Sequence, residues 1–268
     1  MADPRNPESE ISIERAQQQS RQRLRLFGQA VWHELDGETE LAIEVNGVPV
    51  GMVSCMDSAV AELAAGWAFM HRFCDSPKDF DQATAHELRA SVMVRGGIDI
   101  LHRRAVMHGE RFETHPIPEP WPRDDEWSIP EDVLLDILRE AWGHFRRDRM
   151  AEGSIHAALA SSDGIEVVAF DITAQNAVAK VLGWCLQQQR YPAYEILIVN
   201  GLITRAMVDA AARLGVKIIA SPHVPTADAY KLASVCSIST VGYMRHETVG
   251  LFGNPGLVTF EDTDASDT

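Results

Sequence analysis

The sequence predicts an α/β fold, α+β overall, in which a C-terminal lobe of alternating strands and helices follows a smaller strand-rich N-terminal lobe. Three observations support this prediction. Apolar runs alternate with helical patterns from residue 165 to residue 245, whereas short alternating strands dominate the first half. Between them, the segment HPIPEPWPRDDEWSIPED, which contains five prolines, interrupts all periodicity and marks the boundary.

The charge balance limits the partners of the chain. Lys and Arg total 24 against 39 Asp and Glu, a formal net charge of −15 over 268 residues, so we expect no nucleic-acid partner. No apolar stretch approaches the roughly 20 residues of a membrane span, so no membrane partner is expected either. The four cysteines fall at no metal-ligand spacing, which predicts reduced thiols in a cytoplasmic protein without a bound metal.

The first half begins with residues 1–24, which lack an apolar period and are interpreted as a flexible arm. LAIEVNG and VPVGMVSC then predict a hairpin that turns at Asn46-Gly47. SAVAELAAGWAFMHRF has helical spacing, and Asp57 or Ser58 is available to cap its start. Further short strands are expected in ASVMVRGGIDILHRRAVM.

We divide the chain accordingly. The strand-rich N-terminal lobe covers residues 25–128 and the α/β lobe residues 129–258, and the acidic residues 259–268 form a tail. The second lobe opens with an amphipathic helix, because Pro130, Glu131 and Asp132 suit a first helical turn and VLLDILREAW follows with helical spacing.

The second lobe predicts a largely parallel sheet. Its strands are IEVVAF, EILIVNG, VKIIAS and ISTVGYM, and helices lie between them. Thr173, Thr204 and Thr226 occupy helix-start positions, and Gly215 stands where a helix should end. We therefore expect a three-layer α/β/α arrangement.

The strand ends predict where a ligand binds. In open α/β sheets, ligands bind at the carboxyl ends of the strands, where helix N-termini also offer amides to anions. The residues at these positions are Asp171, Thr173, Asn200, Gly201, Ser221, His223, Thr226, Arg245 and His246.

Several common motifs are absent from the sequence. It has no glycine-rich phosphate loop, no zinc deaminase pattern and no G-x-S-x-G elbow. These absences disfavour dinucleotide-binding, P-loop, zinc-dependent deaminase and serine hydrolase activities.

Longer segments carry a family resemblance. ELAIEVNGVPVG, GSIHAALASSDGIEVVAFDITAQNAVAKVLG and the stretch from ILIVNGLITR to TVGYMRHETVGLF resemble, in order and spacing, the formate dehydrogenase accessory protein family, the FdhD-type sulfur carriers, over residues 38–253. The resemblance implies transfer of sulfur from a cysteine desulfurase to the molybdenum bis(guanine dinucleotide) cofactor. It also implies a C-terminal lobe with a cytidine deaminase-like fold that lacks the zinc.

The match to the family motifs is partial. FDITAQNAVAKVLG retains Asp171, Asn176 and Lys180 but lacks the Glu, Arg and His of the family motif, and NGLIT has Leu202 in place of an arginine. The cofactor-binding residues that the resemblance implies, for this cofactor or a guanine nucleotide, are His156, Asp171, Asn176, Lys180, Gly201, Thr226, Tyr243, Met244, Arg245, His246, Glu247 and Thr248.

The Cys-x-x-Cys persulfide loop of the family is missing. It would fall before residue 131, where HRRAVMHGERFETHPIPEPWPRDDEW contains no cysteine. Because sulfur transfer needs a low-pKa thiolate, Cys74 is the one substitute considered, with a buried structural thiol as the alternative. Cys55, Cys185 and Cys236 lie in apolar segments and are predicted to be core residues.

Several candidates have two interpretations. Asn176 and Lys180, four residues apart on one helix face, are either phosphate ligands or an incidental pair on a solvated face. His156 is either a ligand or an interior histidine, and Thr226 is a helix cap that a bound phosphate could also contact. His223 and His246 lack a third ligand at metal-binding spacing.

The sequence leaves two main functional hypotheses. The first is an accessory protein for formate dehydrogenase maturation, with a cysteine desulfurase and the formate dehydrogenase apoenzyme as partners by resemblance. The second is a cofactor-binding or scaffold homologue that transfers no sulfur. A third, an enzyme acting on a small phosphorylated substrate, has no supporting motif.

We also expect a homodimer. FdhD-type proteins resemble paired assemblies, and the exposed aromatic residues near Trp121 and Trp127 would be buried in an interface.

Overall fold

Two main β-sheets, one of four strands and one of six, organise the fold. The structure is a computed structural model that describes residues 21–26, 29–34, 37–111, 113–118, 127–147, 154–191, 195–245 and 248–260. A separate hairpin, β1 (Arg21–Leu26) with β2 (Gln29–Glu34), precedes the first sheet. Strand β1 therefore includes residues 21–24, which the sequence analysis assigned to the arm.

The first sheet has the strand order β4-β3-β6-β5. Its strands are β3 (Thr39–Val45), β4 (Val48–Cys55), β5 (Phe80–His86) and β6 (Arg89–Val94). The predicted turn between β3 and β4 is confirmed, because Asn46 and Gly47 adopt positive φ angles of 49° and 77°. The Asn46 side chain also exchanges two hydrogen bonds with the backbone of Val94, at 2.9 and 3.1 Å, and so fixes the turn against β6.

Two predictions for the first half are wrong. Helix α1 (Val60–Met70) forms as expected, but neither Asp57 nor Ser58 caps it, because its first residue follows Ala59 in a left-handed conformation with no side-chain hydrogen bond. The segment after Gly97 is not a strand but helix α2 (Ile100–Met107). Asp99 caps this helix by accepting from the His102 amide at 3.0 Å, and Ile100 and Met107 pack against the core from one side.

The second sheet has the strand order β13-β12-β11-β10-β8-β9. Its strands are β8 (Ile155–Ser161), β9 (Gly164–Asp171), β10 (Ile196–Val199), β11 (Ile218–Ala220), β12 (Ser239–Arg245) and β13 (Thr248–Gly253). The four predicted strands, β9 to β12, run in one direction, but β8 lies antiparallel between β9 and β10, and β13 is antiparallel to β12. The sheet is therefore mixed rather than largely parallel, because the chain forms a hairpin at Gly164 before it builds the parallel strands.

Helices cover both faces of this sheet. Helix α3 (Glu131–Arg147), which begins with the predicted Glu131 and Asp132, packs on one face together with the two-stranded pair β7 (Ile129–Pro130) and β14 (Val258–Thr259). Helices α4 (Ala174–Gln187), α5 (Arg205–Leu214) and α6 (Ala227–Val235) cover the other face. The three-layer arrangement of this lobe thus agrees with the prediction.

The predicted helix boundaries in this lobe are confirmed. Thr173, Thr204 and Thr226 are the N-caps of α4, α5 and α6, and each side-chain oxygen accepts a hydrogen bond from an amide three residues ahead. Gly215 ends α5 with a φ of 101°, a conformation that favours glycine.

The two sheets are joined where α1 crosses α4. A Cβ atom placed on Gly66 would lie 1.8 Å from the carbonyl oxygen of Ala179, and one on Gly183 would lie 1.8 Å from the carbonyl oxygen of Glu62. The helices therefore approach at backbone distance, which only glycine permits at these two positions. Apolar residues from both sheets form one continuous core around the crossing, so residues 25–128 and 129–258 share a hydrophobic interior.

Replacing Gly66 by Ala tests this crossing. Because the new methyl group would overlap backbone atoms of α4, we expect the free energy of unfolding to fall by about 3 kcal/mol, even though alanine favours the helix by about 1 kcal/mol. Urea unfolding followed by circular dichroism measures the change. Gly97→Ala is the matched control, because no atom lies within 4 Å of its added Cβ. Equal stability of the two variants would contradict the close crossing.

Candidate functional site

The carboxyl ends of the parallel strands of the second sheet meet at one edge, which we call the strand-end rim. Hydrogen bonds connect neighbouring parts of this rim. The amide of His156 donates to Oδ1 of Asn200 at 2.7 Å, and the hydroxyl of Ser221 donates to the carbonyl of Gly201 at 2.7 Å. The described residues of the rim are Ile155, His156, Asp171, Thr173, Asn200, Gly201, Ser221, His223, Thr226 and Gly242. The structure therefore brings together the described strand-end residues that the sequence nominated.

Three helix N-termini open at the strand-end rim. The capping distances are 3.1 Å from the Asn176 amide to Thr173, 3.5 Å from the Met207 amide to Thr204 and 3.2 Å from the Ala229 amide to Thr226. The first turn of a helix has amides without helical partners and carries a partial positive charge, so its N-terminus attracts anions. Thr226 thus acts as the predicted cap beside an edge suited to an anionic ligand.

Asp171, Asn176 and Lys180 form a buried polar cluster beside this rim. Lys180 Nζ lies 2.7 Å from Asp171 Oδ2, and the side-chain Nδ2 of Asn176 donates to Asp171 Oδ1 at 2.9 Å. The exposed fractions are 0% for Asp171, 7% for Asn176 and 1% for Lys180. The interpretation of Asn176 and Lys180 as a solvated pair is therefore wrong.

The same cluster holds the loop between β4 and α1 against the second sheet. Ser54 O accepts from the side-chain Nδ2 of Asn176 at 2.8 Å, and the backbone amide of Met56 donates to Asp171 Oδ2 at 3.4 Å. The Ser58 hydroxyl accepts from Lys180 Nζ at 3.2 Å. Ser58 is thereby engaged with Lys180, which accounts for its absence from the cap of α1.

The donors of this cluster are already engaged. The third acceptor of Lys180 is the carbonyl of Phe170, at 3.0 Å, so three acceptors surround its three N–H groups. Both N–H groups of the Asn176 side chain are likewise matched by Ser54 O and Asp171 Oδ1. Direct phosphate binding by these two residues stays a prediction, and it would require one of these bonds to break.

His156 lies in the interior. Its ring is 2% exposed and packs between Phe145, with ring centroids 5.2 Å apart, and Phe170, at 5.8 Å. Its amide positions Asn200 at the rim, so its backbone rather than its ring contributes to the edge. His223, by contrast, is exposed, and no group of three or more His, Cys, Asp or Glu in the described ranges is arranged for a metal ion.

Gly201 has a packing role that the sequence did not indicate. A Cβ atom at this position would lie 2.5 Å from Cβ of Ala174, so the glycine lets the end of β10 approach the first turn of α4. Gly242 permits a similar approach to the carbonyl of His223, at 2.6 Å. Both glycines bring loops of the rim close together.

The last stretch of predicted site residues is only partly described. The backbone of Tyr243, Met244 and Arg245 continues β12, and Arg245 pairs with Thr248 at the start of β13. The side chains of these four residues, and His246 and Glu247 entirely, lie outside the described residues. Their role in cofactor binding stays a prediction.

All four cysteines are buried. Burial raises the pKa of Cys55 to about 11, and that of Cys74 and Cys185 to about 12, and it also raises the pKa of Cys236. At neutral pH these thiols stay protonated, whereas persulfide formation needs an accessible thiolate. The geometry thus argues against Cys74 as a sulfur carrier and agrees with core roles for the other three cysteines.

Sequence reasoning did not identify the end of β4 and the loop that follows it, from Ser54 to Ser58, as part of the site. This loop contacts the cluster through Ser54, Met56 and Ser58, and the bonds to Asn176 and Lys180 each join residues 122 positions apart. A local pattern carries no signal for such contacts. The sequence signal available was the pair of polar residues at positions 57 and 58, just before α1, which also predicts a helix cap.

The fold and the rim together define a class: a mixed α/β protein whose second sheet gathers three capped helix N-termini at one anion-receptive edge. Comparison with known families then gives a specific assignment. The chain belongs to the FdhD/NarQ family, whose model matches residues 37–259. This range includes both sheets and the whole strand-end rim.

Individual relatives agree with this assignment. The chain is 36% identical over 131 residues to the sulfur carrier protein FdhD of Nocardia farcinica, a match that covers 47% of this chain and 46% of the relative. It is 24% identical over 260 residues to the protein of the same name from Listeria monocytogenes, covering 90% and 98%. The chain thus spans about half the length of the first relative and nearly all of the second.

A solved structure supports the fold. The crystal structure of a Desulfotalea psychrophila protein assigned as a formate dehydrogenase accessory protein superposes with a TM-score of 0.71, at 20% identity, over 89% of this chain and 97% of that one. At this identity the likeness shows the shared fold. In addition, no helix within the described ranges is long and apolar enough to cross a membrane.

Replacing Lys180 by Met tests the buried cluster. Because the change leaves the Asp171 carboxylate buried without its cation, we expect the free energy of unfolding to fall by about 3–5 kcal/mol in a urea titration. The double variant Lys180→Met/Asp171→Asn removes both charges and should recover part of this loss.

Lys231→Met provides the matched control. Lys231 forms an exposed pair with Asp228 at 3.6 Å, so its loss should change stability by less than about 1 kcal/mol. A Lys180→Met variant as stable as this control would show that the buried pair does not hold the loop.

Proposed function

We propose that the protein is an accessory protein for formate dehydrogenase maturation, which binds a guanine-dinucleotide form of the molybdenum cofactor, or a guanine nucleotide, at the strand-end rim. The main support for this proposal is that three capped helix N-termini converge at the strand-end rim, all of which lies within the residues that the family model matches. The relatives named as sulfur carrier proteins and the solved structure of a formate dehydrogenase accessory protein support this role.

The chemistry of the rim suits this cargo. The guanine dinucleotide carries a pyrophosphate, and helix N-termini bind such anions through backbone amides without a dedicated side chain. On a chain with a net charge of −15, this edge offers an anion a locally favourable place. Arg245, at the end of β12, would add a forked donor that matches phosphate geometry.

The buried thiols favour a second candidate function, a cofactor-binding homologue that carries no sulfur itself. A sulfur carrier must form a persulfide on an accessible thiolate. Each of the four cysteines is buried, and each has a raised pKa. In this version the protein would hold or present the cofactor while another protein supplies the sulfur.

The partners and setting follow from the proposed role. A cysteine desulfurase and the formate dehydrogenase apoenzyme would be the partners, and the cytoplasm would be the compartment. A homodimer is part of the proposal. Trp127 is half-buried and packs against the apolar residues between α3 and the second sheet. Trp121 lies outside the described residues.

Arg245→Gln tests cofactor binding at the rim. Because the substitution removes a charged donor while leaving the helix N-termini intact, we expect the affinity for GDP, measured by calorimetry, to fall about tenfold. Arg139→Gln is the control, since Arg139 lies exposed on α3 beside Asp136 and should leave the affinity unchanged. Undetectable binding of millimolar GDP to the natural protein would refute the binding proposal.

Incubation with a cysteine desulfurase and labelled cysteine separates the two candidate functions. Since the thiols stay protonated and buried, we expect mass spectrometry to find no persulfide on Cys55, Cys74, Cys185 or Cys236 of the folded protein. The urea-unfolded protein should react with iodoacetamide at all four positions, which confirms that the thiols are chemically intact. An added sulfur atom on any cysteine would instead establish sulfur carriage.

A further inference from the structure

Apart from the strand-end rim, the protein has a cavity of about 220 Å³ where the first sheet meets the end of α4, which we call the second cavity. The residues that line it come from the turn before β5, from the end of β6 and from the C-terminal end of α4 and the segment after it. They are Pro77, Lys78, Phe80, Arg95, Leu186, Gln189 and Tyr191. The strand-end rim lies at the opposite end of α4, about 20 Å away for a helix of 14 residues.

Hydrogen bonds fix the walls of this cavity. Gln187 pairs with the backbone of Ala83 in both directions, accepting at 3.4 Å and donating at 3.1 Å, so the end of α4 is tied to β5. On the other side, Ser76 and Asp79 form a reciprocal capping box around the short helical turn that carries Lys78. The Arg95 amide donates to the carbonyl of Asp79 at 2.6 Å. The cavity is therefore preformed.

The lining combines buried apolar residues with exposed cations. Phe80 and Leu186 are 7% and 3% exposed, whereas Tyr191 is exposed. Two cations, Lys78 and Arg95, line the cavity together with the amide of Gln189.

No acidic residue offsets these cations within the lining. Arg95 pairs with Asp81 outside the cavity, which leaves other N–H groups of its guanidinium available. Lys78 forms no ion pair with any of the residues that the structure describes. Two cations at one cavity stand out on a chain with a net charge of −15, and an anionic ligand would pair with Lys78 and give Arg95 a second partner beside Asp81.

We propose that this cavity binds a small aromatic phosphate, that is, an organic anion with a planar ring and one phosphate group. The ring would pack against Phe80 and Tyr191, while Lys78 and Arg95 would contact the phosphate, which favours charge-assisted hydrogen bonds from both. The proposal depends on neither candidate function of the rim. It assigns the protein a second ligand site on the far end of α4.

Phenyl phosphate is the probe that tests this site. Titrated into the full-length, isotope-labelled protein, it should cause saturable amide shifts at Lys78, Phe80, Arg95 and Gln189. The neutral benzyl alcohol and inorganic phosphate should each cause weaker shifts at the same amides, because each lacks one half of the recognised chemistry.

Substitutions show whether the two cations act. Lys78→Met and Arg95→Met should each raise the dissociation constant of phenyl phosphate about tenfold, while Lys231→Met on the exposed face of α6 should leave it unchanged. Circular dichroism confirms that the variants are folded, which is expected because both side chains lie at the surface.

The proposal is overturned by the absence of a saturable shift at millimolar phenyl phosphate, by shifts confined to Thr173 and Thr226 at the rim, or by equal weakening by Lys231→Met. GDP binding measured on the same Lys78→Met and Arg95→Met variants separates the two sites. Unchanged GDP affinity with lost phenyl phosphate binding supports an independent site. Loss of both would place the phosphate groups in one shared site and would refute the proposal.

Discussion

The crossing of α1 over α4 is the constraint on which the rest of the structure depends. At this point the two backbones are in contact, because Gly66 and Gly183 present no side chain to the opposite helix. The crossing sets the position of α4 between the two sheets, and α4 in turn has one end at the strand-end rim and the other at the second cavity. The crossing therefore places the loop before α1 next to Asp171. There the loop forms hydrogen bonds with both members of the buried ion pair between Asp171 and Lys180. A buried ion pair contributes little net stability, but separating its partners would leave a buried charge uncompensated. Any shift of the loop away from the second sheet would disturb this pair, so the pair fixes the placement of the loop.

Local patterns predicted the parts of the fold that depend on neighbouring residues. The threonine caps, the glycine that ends α5 and the Asn46-Gly47 turn each follow from backbone requirements that a few residues satisfy. The strand-end residues also meet at one edge, as predicted, because β9 to β12 do share one direction. Where several local signals agree, as at the three threonine caps and at strands β9 to β12, the sequence was sufficient to place the elements.

The remaining features depend on contacts that no local pattern contains. Strand β8 was not predicted as a strand of its own, and its insertion between β9 and β10 is what makes the sheet mixed. Lys180 has a polar side chain on a helix, which usually indicates a solvated face, but it is buried with two partners distant in the sequence, Ser58 from the loop before α1 and Asp171 from the end of β9. The prediction for Ser58 failed for a similar reason. A serine before a helix usually caps it, but the hydroxyl of Ser58 accepts a hydrogen bond from Lys180, a residue distant in the sequence. Family resemblance supplied the functional context, whereas the burial of the thiols became visible only in three dimensions.

The chain enters and leaves the second lobe at adjacent positions. Ile129 and Pro130 pair in parallel with Val258 and Thr259, so the first and last residues of this lobe lie side by side. Termini in contact are the arrangement that tolerates circular permutation and transplantation into another chain. The lobe therefore has the geometry of a cassette that a short linker could close into a ring. In the isolated lobe, however, the face of α4 that α1 covers in the intact protein would be exposed. Another helix could cover this face only if it had a glycine at the position that Gly66 occupies.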